Sequence, residues 1–232
     1  MIDRRTFVAT MGAALASACV RKRPAALSAT RLPLSFSTLG CPQWSWNQIL
    51  DFASAHEFAA IELRGIQGEM DLTKRPEFAP AQIAATKRAV ADHGLRIVCL
   101  GASANMHEPD AAKRAGGLDE GRRFIDLAHA LGAPYVRVFG NNWVKGETRD
   151  ATLDRVAAGL RTLGDHARGA DVTVILETHG DFTDSPTLLD IMRRADSSVI
   201  HERNCRNGVV SPCWRAMSKR HDPLEARTTL HG

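Results

Sequence analysis

The sequence is short of several things that would announce a function directly. Aromatic residues make up 6% of its 232 positions. The five cysteines form no C-x-x-C unit, which excludes a zinc ribbon and a disulfide framework. No G-x-G-x-x-G turn follows a strand pattern, so the dinucleotide fingerprint is missing. Gly140-Asn-Asn-Trp-Val-Lys145-Gly146 has the letters of a phosphate-binding loop, but its lysine precedes its glycine. No apolar run reaches the roughly 20 residues that span a bilayer.

A basic surface is also lacking, although the formal charge is +4. Residues 1–31 carry six Lys/Arg and one acid, and residues 197–232 six and three, whereas residues 32–196 carry eighteen against twenty-two acids. The body is therefore mildly acidic, and nothing suggests a face that would replace phosphate counterions, so no nucleic-acid partner is expected. At 44% hydrophobic and 24% charged, the composition is that of a globular protein.

What is present begins with a leader. Arg4-Arg5-Thr6-Phe7, a short uncharged stretch and Ala16-Ser17-Ala18 fit an export signal of the twin-arginine type, with cleavage after Ala18. Cys19 directly after it offers a lipid anchor as the alternative. The expected location is periplasmic or extracytoplasmic, and cytoplasmic if the leader is not processed.

Behind the leader, short apolar runs alternate with longer amphipathic ones. Strands are expected at 34–39, 60–64, 96–100, 135–139 and 172–177, with starts 26, 36, 39 and 37 residues apart, the spacing of repeated βα units. Phe124, Leu127, Ala128 and Leu131 share one helical face, and Leu153, Val156, Ala157 and Leu160 another. Gly94, Gly132 and Gly169 stand where helices should end, and Ser185-Pro186 reads as an N-cap with proline at the first helical position. An open doubly wound sheet and a (β/α)8 barrel both use this unit, and both place chemistry at the C-terminal ends of strands.

The residues at those ends are the candidates. Glu177 closes the fifth strand, where a carboxylate needs either a metal or an arginine as partner. His179 is a ligand, an orienting group or a solvated loop residue. Arg64 is placed to clamp a substrate oxygen, with Glu62 as its neighbour. Asn141 and Trp143 offer a hydrogen bond and a wall for a sugar ring, or a loop packed on itself. His107 with Glu108 and Asp110 is a metal cluster or a solvated turn.

The segments Ala60-Ile-Glu-Leu-Arg-Gly65, the helix–strand run Phe124–Gly140 with its Leu-Gly-Ala-Pro junction, and Val174-Ile-Leu-Glu-Thr-His-Gly180 together resemble the xylose isomerase-like TIM-barrel family. The resemblance covers about residues 32–196. It implies an α/β fold of the (β/α)8 TIM-barrel type, incomplete at about five βα units, between an export segment (1–31) and an irregular tail (197–232). It implies a sugar or sugar phosphate as substrate, proton transfer next to a carbonyl, and a divalent cation (manganese, magnesium or zinc) held in part by Glu177. Arg64, Asn141 and His179 would lie near substrate. The family pattern continues with strands supplying Asp, His and a second Glu, which residues 197–232 do not match. A truncated, inactive barrel serving in binding or assembly is the alternative, and an open sheet edge would favour a homo-oligomer.

Overall fold

The computed structural model describes residues 33–196 and 200–203. Six parallel strands form one sheet in sequence order: β1 (Ser35–Ser37), β2 (Ala60–Leu63), β3 (Ile97–Asn105), β4 (Tyr135–Phe139), β5 (Thr173–Glu177) and β6 (Ile200–Arg203). Helices α1 (Trp46–Ala55), α2 (Ile83–Asp92), α3 (Ala111–Leu131), α4 (Arg149–Ala167) and α5 (Ser185–Ala195) connect them. An order that never reverses has no switch point, which separates a barrel-type sheet from a doubly wound one. β6 is one strand more than the five expected, and it lies in the segment read as irregular. Only four residues long and ending in charges, it lacks the apolar run that marks its neighbours.

The two faces of the sheet differ. Ile61, Leu63, Leu100, Ala102, Ala104, Val136, Val138, Val174 and Leu176 alternate onto one face and join the helices in the core. There they meet Phe124, Ile125 and Ala128 of α3 and Val156, Ala157 and Leu160 of α4, all fully buried. The helical faces expected from periodicity are thus the packed ones. The opposite parity carries Glu62, Arg64, Gly101, Arg137, Phe139 and Glu177. A sheet with helices on both sides would bury apolar rows on both. Here one row is charged, as befits an interior surface with work to do.

The junctions explain the register. Gly132 caps α3 at φ 76° and Gly94 follows α2 at φ 68°, as their positions suggested. Gly169 does not: the left-handed residue before β5 is Asp171, at φ 52°. The cap of α5 is Asp184 rather than Ser185, because the Asp184 carboxylate accepts the Thr187 N–H at 2.9 Å. β3 runs past Leu100 to Asn105 across a register shift between Gly101 and Asn105, opposite Arg137 and Phe139 of β4. That bulge carries Ser103 and Asn105 to the C-terminal rim. Among the described residues no helix is long and apolar enough to cross a membrane. The leader, Cys19 and the tail beyond Arg203 lie outside the described residues.

Candidate functional site

Of the sequence candidates, Arg64, Glu177 and His179 stand about the ring of Phe139 at the C-terminal ends of β2, β4 and β5, and Asn141 joins them through a hydrogen bond with His179. Register puts Phe139 directly beside Glu177. The Arg137 guanidinium lies 4.2 Å from the Phe139 ring centre and that of Arg64 5.9 Å, both within cation–π range. His179 meets the same ring edge-on at 5.1 Å.

Glu177 has an arginine for its partner. Its Oε2 sits 2.6 Å from Nε of Arg137, whose side chain is only 4% exposed. The Nε–H is not aimed at that oxygen, so the contact is an ion pair rather than an aligned hydrogen bond. Arg137 also donates from Nη1 to the Ala102 carbonyl at 3.1 Å, which the β3 bulge turns toward it. Arg137 was no candidate from sequence. Its signal was a lone charge in the middle of an apolar strand, a position that requires a buried counter-charge.

Arg64 is fixed from below and beside. Its backbone N–H donates to Thr38 Oγ1 at 2.8 Å, and that hydroxyl donates to the Gly65 carbonyl at 2.9 Å. Its Nη2 donates to Ser103 Oγ at 3.1 Å, whereas Nη1 is buried without a hydrogen-bond partner. Burial first, then the facing Arg137 charge, push the Arg64 guanidinium below the usual arginine range, against the pull of Glu120, Glu177 and Glu62. Gly101 makes the pairing of two arginines possible, since a Cβ there would stand 2.6 Å from both Arg64 Cδ and Arg137 Nη2.

Above this layer runs a chain of hydrogen bonds. Asn141, at φ 66°, donates from Nδ2 to Asn105 Oδ1 at 2.6 Å. Its Oδ1 accepts from His179 Nδ1 at 2.9 Å. The Asn141 carbonyl takes the Asp181 N–H at 2.7 Å, and Asp181 Oδ2 takes the Trp143 N–H at 2.9 Å, lacing the β4 and β5 loops together. Trp143 packs on Phe182 at 4.6 Å and under the Arg149 guanidinium at 4.0 Å, so it is a loop packed on itself rather than an open wall. Asn105, the last residue of β3, joins the site through its bond to Asn141.

His107, Glu108 and Asp110 do not form a metal cluster. Asp110 caps α3 by accepting the Lys113 N–H at 2.8 Å, and His107 has a buried Nδ1. Burial pushes the His107 imidazole below the ordinary histidine range. The unfolded chain therefore takes up this proton first, so stability is full above a pH of about 6.5 and falls as the pH drops through the depressed folded value. Urea midpoints between pH 7.5 and 5 should decline less steeply for His107→Leu than for the wild type.

Among the described residues, no three His, Cys, Asp or Glu side chains stand close enough to share a metal ion. Where a divalent cation was expected, the Glu177 carboxylate stands against Arg137. The guanidinium of Arg137 already occupies the flank of the carboxylate, and the described residues do not fit a resident metal.

A parallel, sequentially ordered sheet, helices on one face and a charged rim at the strand ends define a TIM-barrel type of protein. The chain belongs to the xylose isomerase-like TIM barrel family, whose model matches residues 50–201. Among curated proteins none matches. Solved structures do: a D-psicose 3-epimerase with D-tagatose from Clostridium cellulolyticum H10 is 14% identical with a TM-score of 0.59, over 73% of this chain and 62% of that one. An L-ribulose 3-epimerase is 21% identical with a TM-score of 0.58, over 75% and 60%. A xylose isomerase-like TIM barrel protein from Mycobacterium smegmatis in complex with magnesium is 20% identical with a TM-score of 0.58, over 74% and 63%. The chain thus spans less than two thirds of the length of each.

Proposed function

We propose that the rim binds a small sugar and that the chain is of the sugar isomerase/epimerase type, moving a proton next to a carbonyl. The observation that carries this reading is the meeting of Arg64, Glu177 and His179 about Phe139, with Asn141 hydrogen-bonded to His179, at the strand ends where barrel enzymes assemble their chemistry. The family membership and the epimerases among similar structures support it.

The chain's own side chains suffice for a stated division of labour. Arg64 donates to the sugar's carbonyl oxygen and steadies the charge that develops there. The Glu177 carboxylate, oriented by Arg137, accepts the proton from the adjacent carbon. The C–H electron pair forms the C=C bond of an enediolate as the carbonyl π pair moves onto oxygen, and the protonated Glu177 then returns the proton to the former carbonyl carbon. Asn141 fixes a hydroxyl and the His179 imidazole. His179 Nε2 exchanges a proton with a hydroxyl at the rim. No step is assigned to a metal. Residues 1–31 are read as an export leader, which would put this activity outside the cytoplasm.

A second reading has one observation in its favour. The Glu177 carboxylate lies against the buried Arg137 guanidinium at 2.6 Å, a structural ion pair that suits a barrel that binds sugar without turning it over. Incubating the full chain with D-tagatose or D-psicose in D2O separates the two. Deuterium entering the carbon next to the carbonyl, and lost in Glu177→Gln, supports the enzyme. Sugar-dependent shifts in ligand-observed NMR without exchange support the binding module, and neither signal would sink both.

A further inference from the structure

We propose that Glu120, on the helix side of the sheet, is a positioning residue: acting through Ser103, it holds the Arg64 guanidinium in place at the rim. That Arg64 then serves a sugar rests on the reading above. The ladder between β3 and β4 is interrupted between Gly101 and Asn105, so Ala102, Ser103 and Ala104 together face Val138. A backbone N–H in such a stretch needs an acceptor off the ladder. Glu120 of α3 supplies one, its Oε1 accepting the Ser103 N–H at 2.6 Å. The helix lies close over the bulge here: a Cβ on Gly117, one turn before Glu120, would stand 3.8 Å from Ala104 Cα and Asn105 N. The Ser103 side chain points the other way, and its Oγ accepts from Arg64 Nη2 at 3.1 Å.

Two hydrogen bonds thus connect a helix carboxylate to the guanidinium through one residue of the bulge. Arg64 has its Nη1 buried without a hydrogen-bond partner, so its orientation leans on the Nη2 bond to Ser103 and on the Phe139 ring. A bulge is the least constrained part of its strand, and a charge-assisted bond to its backbone is the stronger kind of anchor. Burial, then the facing Arg137, works against the Arg64 charge, and Glu120 heads the carboxylates that oppose them, ahead of Glu177 and Glu62. Since an arginine keeps its proton at neutral pH, Glu120 governs where the charge sits and not whether it exists. Position is what counts for a donor that must face the oxygen on which charge develops.

The experiment follows deuterium exchange into D-tagatose by the full chain, together with the NMR signals of the Arg64 side-chain N–H groups, assigned from Arg64→Lys. Glu120→Ala should lower kcat for exchange about tenfold with KM changed less than about twofold, because a misplaced donor is felt chiefly in the transition state. Ser103→Ala keeps the backbone N–H that Glu120 binds and removes the acceptor for Arg64, so it should lower kcat as much. Glu120→Ala/Ser103→Ala should lose no more than the larger single loss. Glu120→Gln retains an acceptor for the Ser103 N–H and should restore most of the rate. The Arg64 signals should broaden in both alanine variants and persist in Glu120→Gln. If Glu120→Ala does not fold, Glu120→Asp, too short to reach the Ser103 N–H, takes its place. Unaltered Arg64 signals in the Glu120 variant, or additive losses in the double variant, overturn the inference. A wild type without exchange sinks the enzyme reading alone, because the Arg64 signals still decide whether Glu120 places that guanidinium.

Discussion

Glu177→Ala should lower stability by about 3 kcal/mol, because it leaves a buried guanidinium without its counter-charge. The argument turns on which partner is less able to escape. Glu177 is 17% exposed at its side chain, but Arg137 is 4% exposed and fixed through Nη1 to the Ala102 carbonyl, through its contact with Phe139, and by the close approach of Gly101. Removing the carboxylate therefore does not let the arginine reach water without opening the sheet's inner face. Glu177→Gln, which keeps the shape and loses the charge, should fall between wild type and alanine. Taking out both charges in Arg137→Met/Glu177→Leu should recover much of the loss, since a well-packed apolar pair has no desolvation penalty to offset. Urea unfolding reads this as a shift in midpoint at unchanged slope. A carboxylate whose only task was to ligate a metal predicts the contrary: without metal, its removal would relieve repulsion and leave the midpoint unchanged or raised.

How far the sequence reveals such an arrangement depends on the range of the forces involved. Helical faces such as Phe124–Leu131 are written in local periodicity, and the packed face of each helix is the one its spacing predicts. Glycines are local too, yet Gly94 and Gly132 take left-handed conformations while Gly169 does not. Two residues on, Asp171 tolerates that conformation and performs the same turn. The strand-end positions of Arg64, Asn141, Glu177 and His179 follow from counting βα units. Their partners do not. That Glu177 meets Arg137 depends on β4–β5 register, in which Arg137 is opposite Ile175 and Glu177 opposite Phe139. That Asn105 reaches Asn141 depends on a bulge which no residue pattern between Gly101 and Asn105 marks. β6 was illegible for a different reason: a short strand added to an existing sheet draws its hydrogen bonds from β5 and needs little apolar sequence of its own.

The rim has its own most sensitive point, and it is a backbone one. Gly180→Ala should cost about 2–3 kcal/mol and weaken the proposed sugar binding by about tenfold. Gly180 stands at φ 61°, where a side chain is strained in any surroundings. A Cβ there would also overlap the Asn141 carbonyl oxygen, a backbone atom that cannot rotate away. That carbonyl accepts the Asp181 N–H, so relief of the overlap must pull the β4 and β5 loops apart. Asn141 and His179 ride on those two loops, and their 2.9 Å hydrogen bond spans the gap. Gly146→Ala is the matched control: it has φ 85° and no atom within 4 Å of its Cβ position, so it should show only the conformational penalty of about 1 kcal/mol. The excess of the first loss over the second measures the overlap. The His179 Nδ1–H resonance, protected in the wild type by Asn141, should exchange faster in Gly180→Ala and be unchanged in Gly146→Ala. Equal losses in the two variants, or an unaltered His179 signal, would mean that Gly180 serves only the turn and that the rim's geometry is set by the strands beneath it.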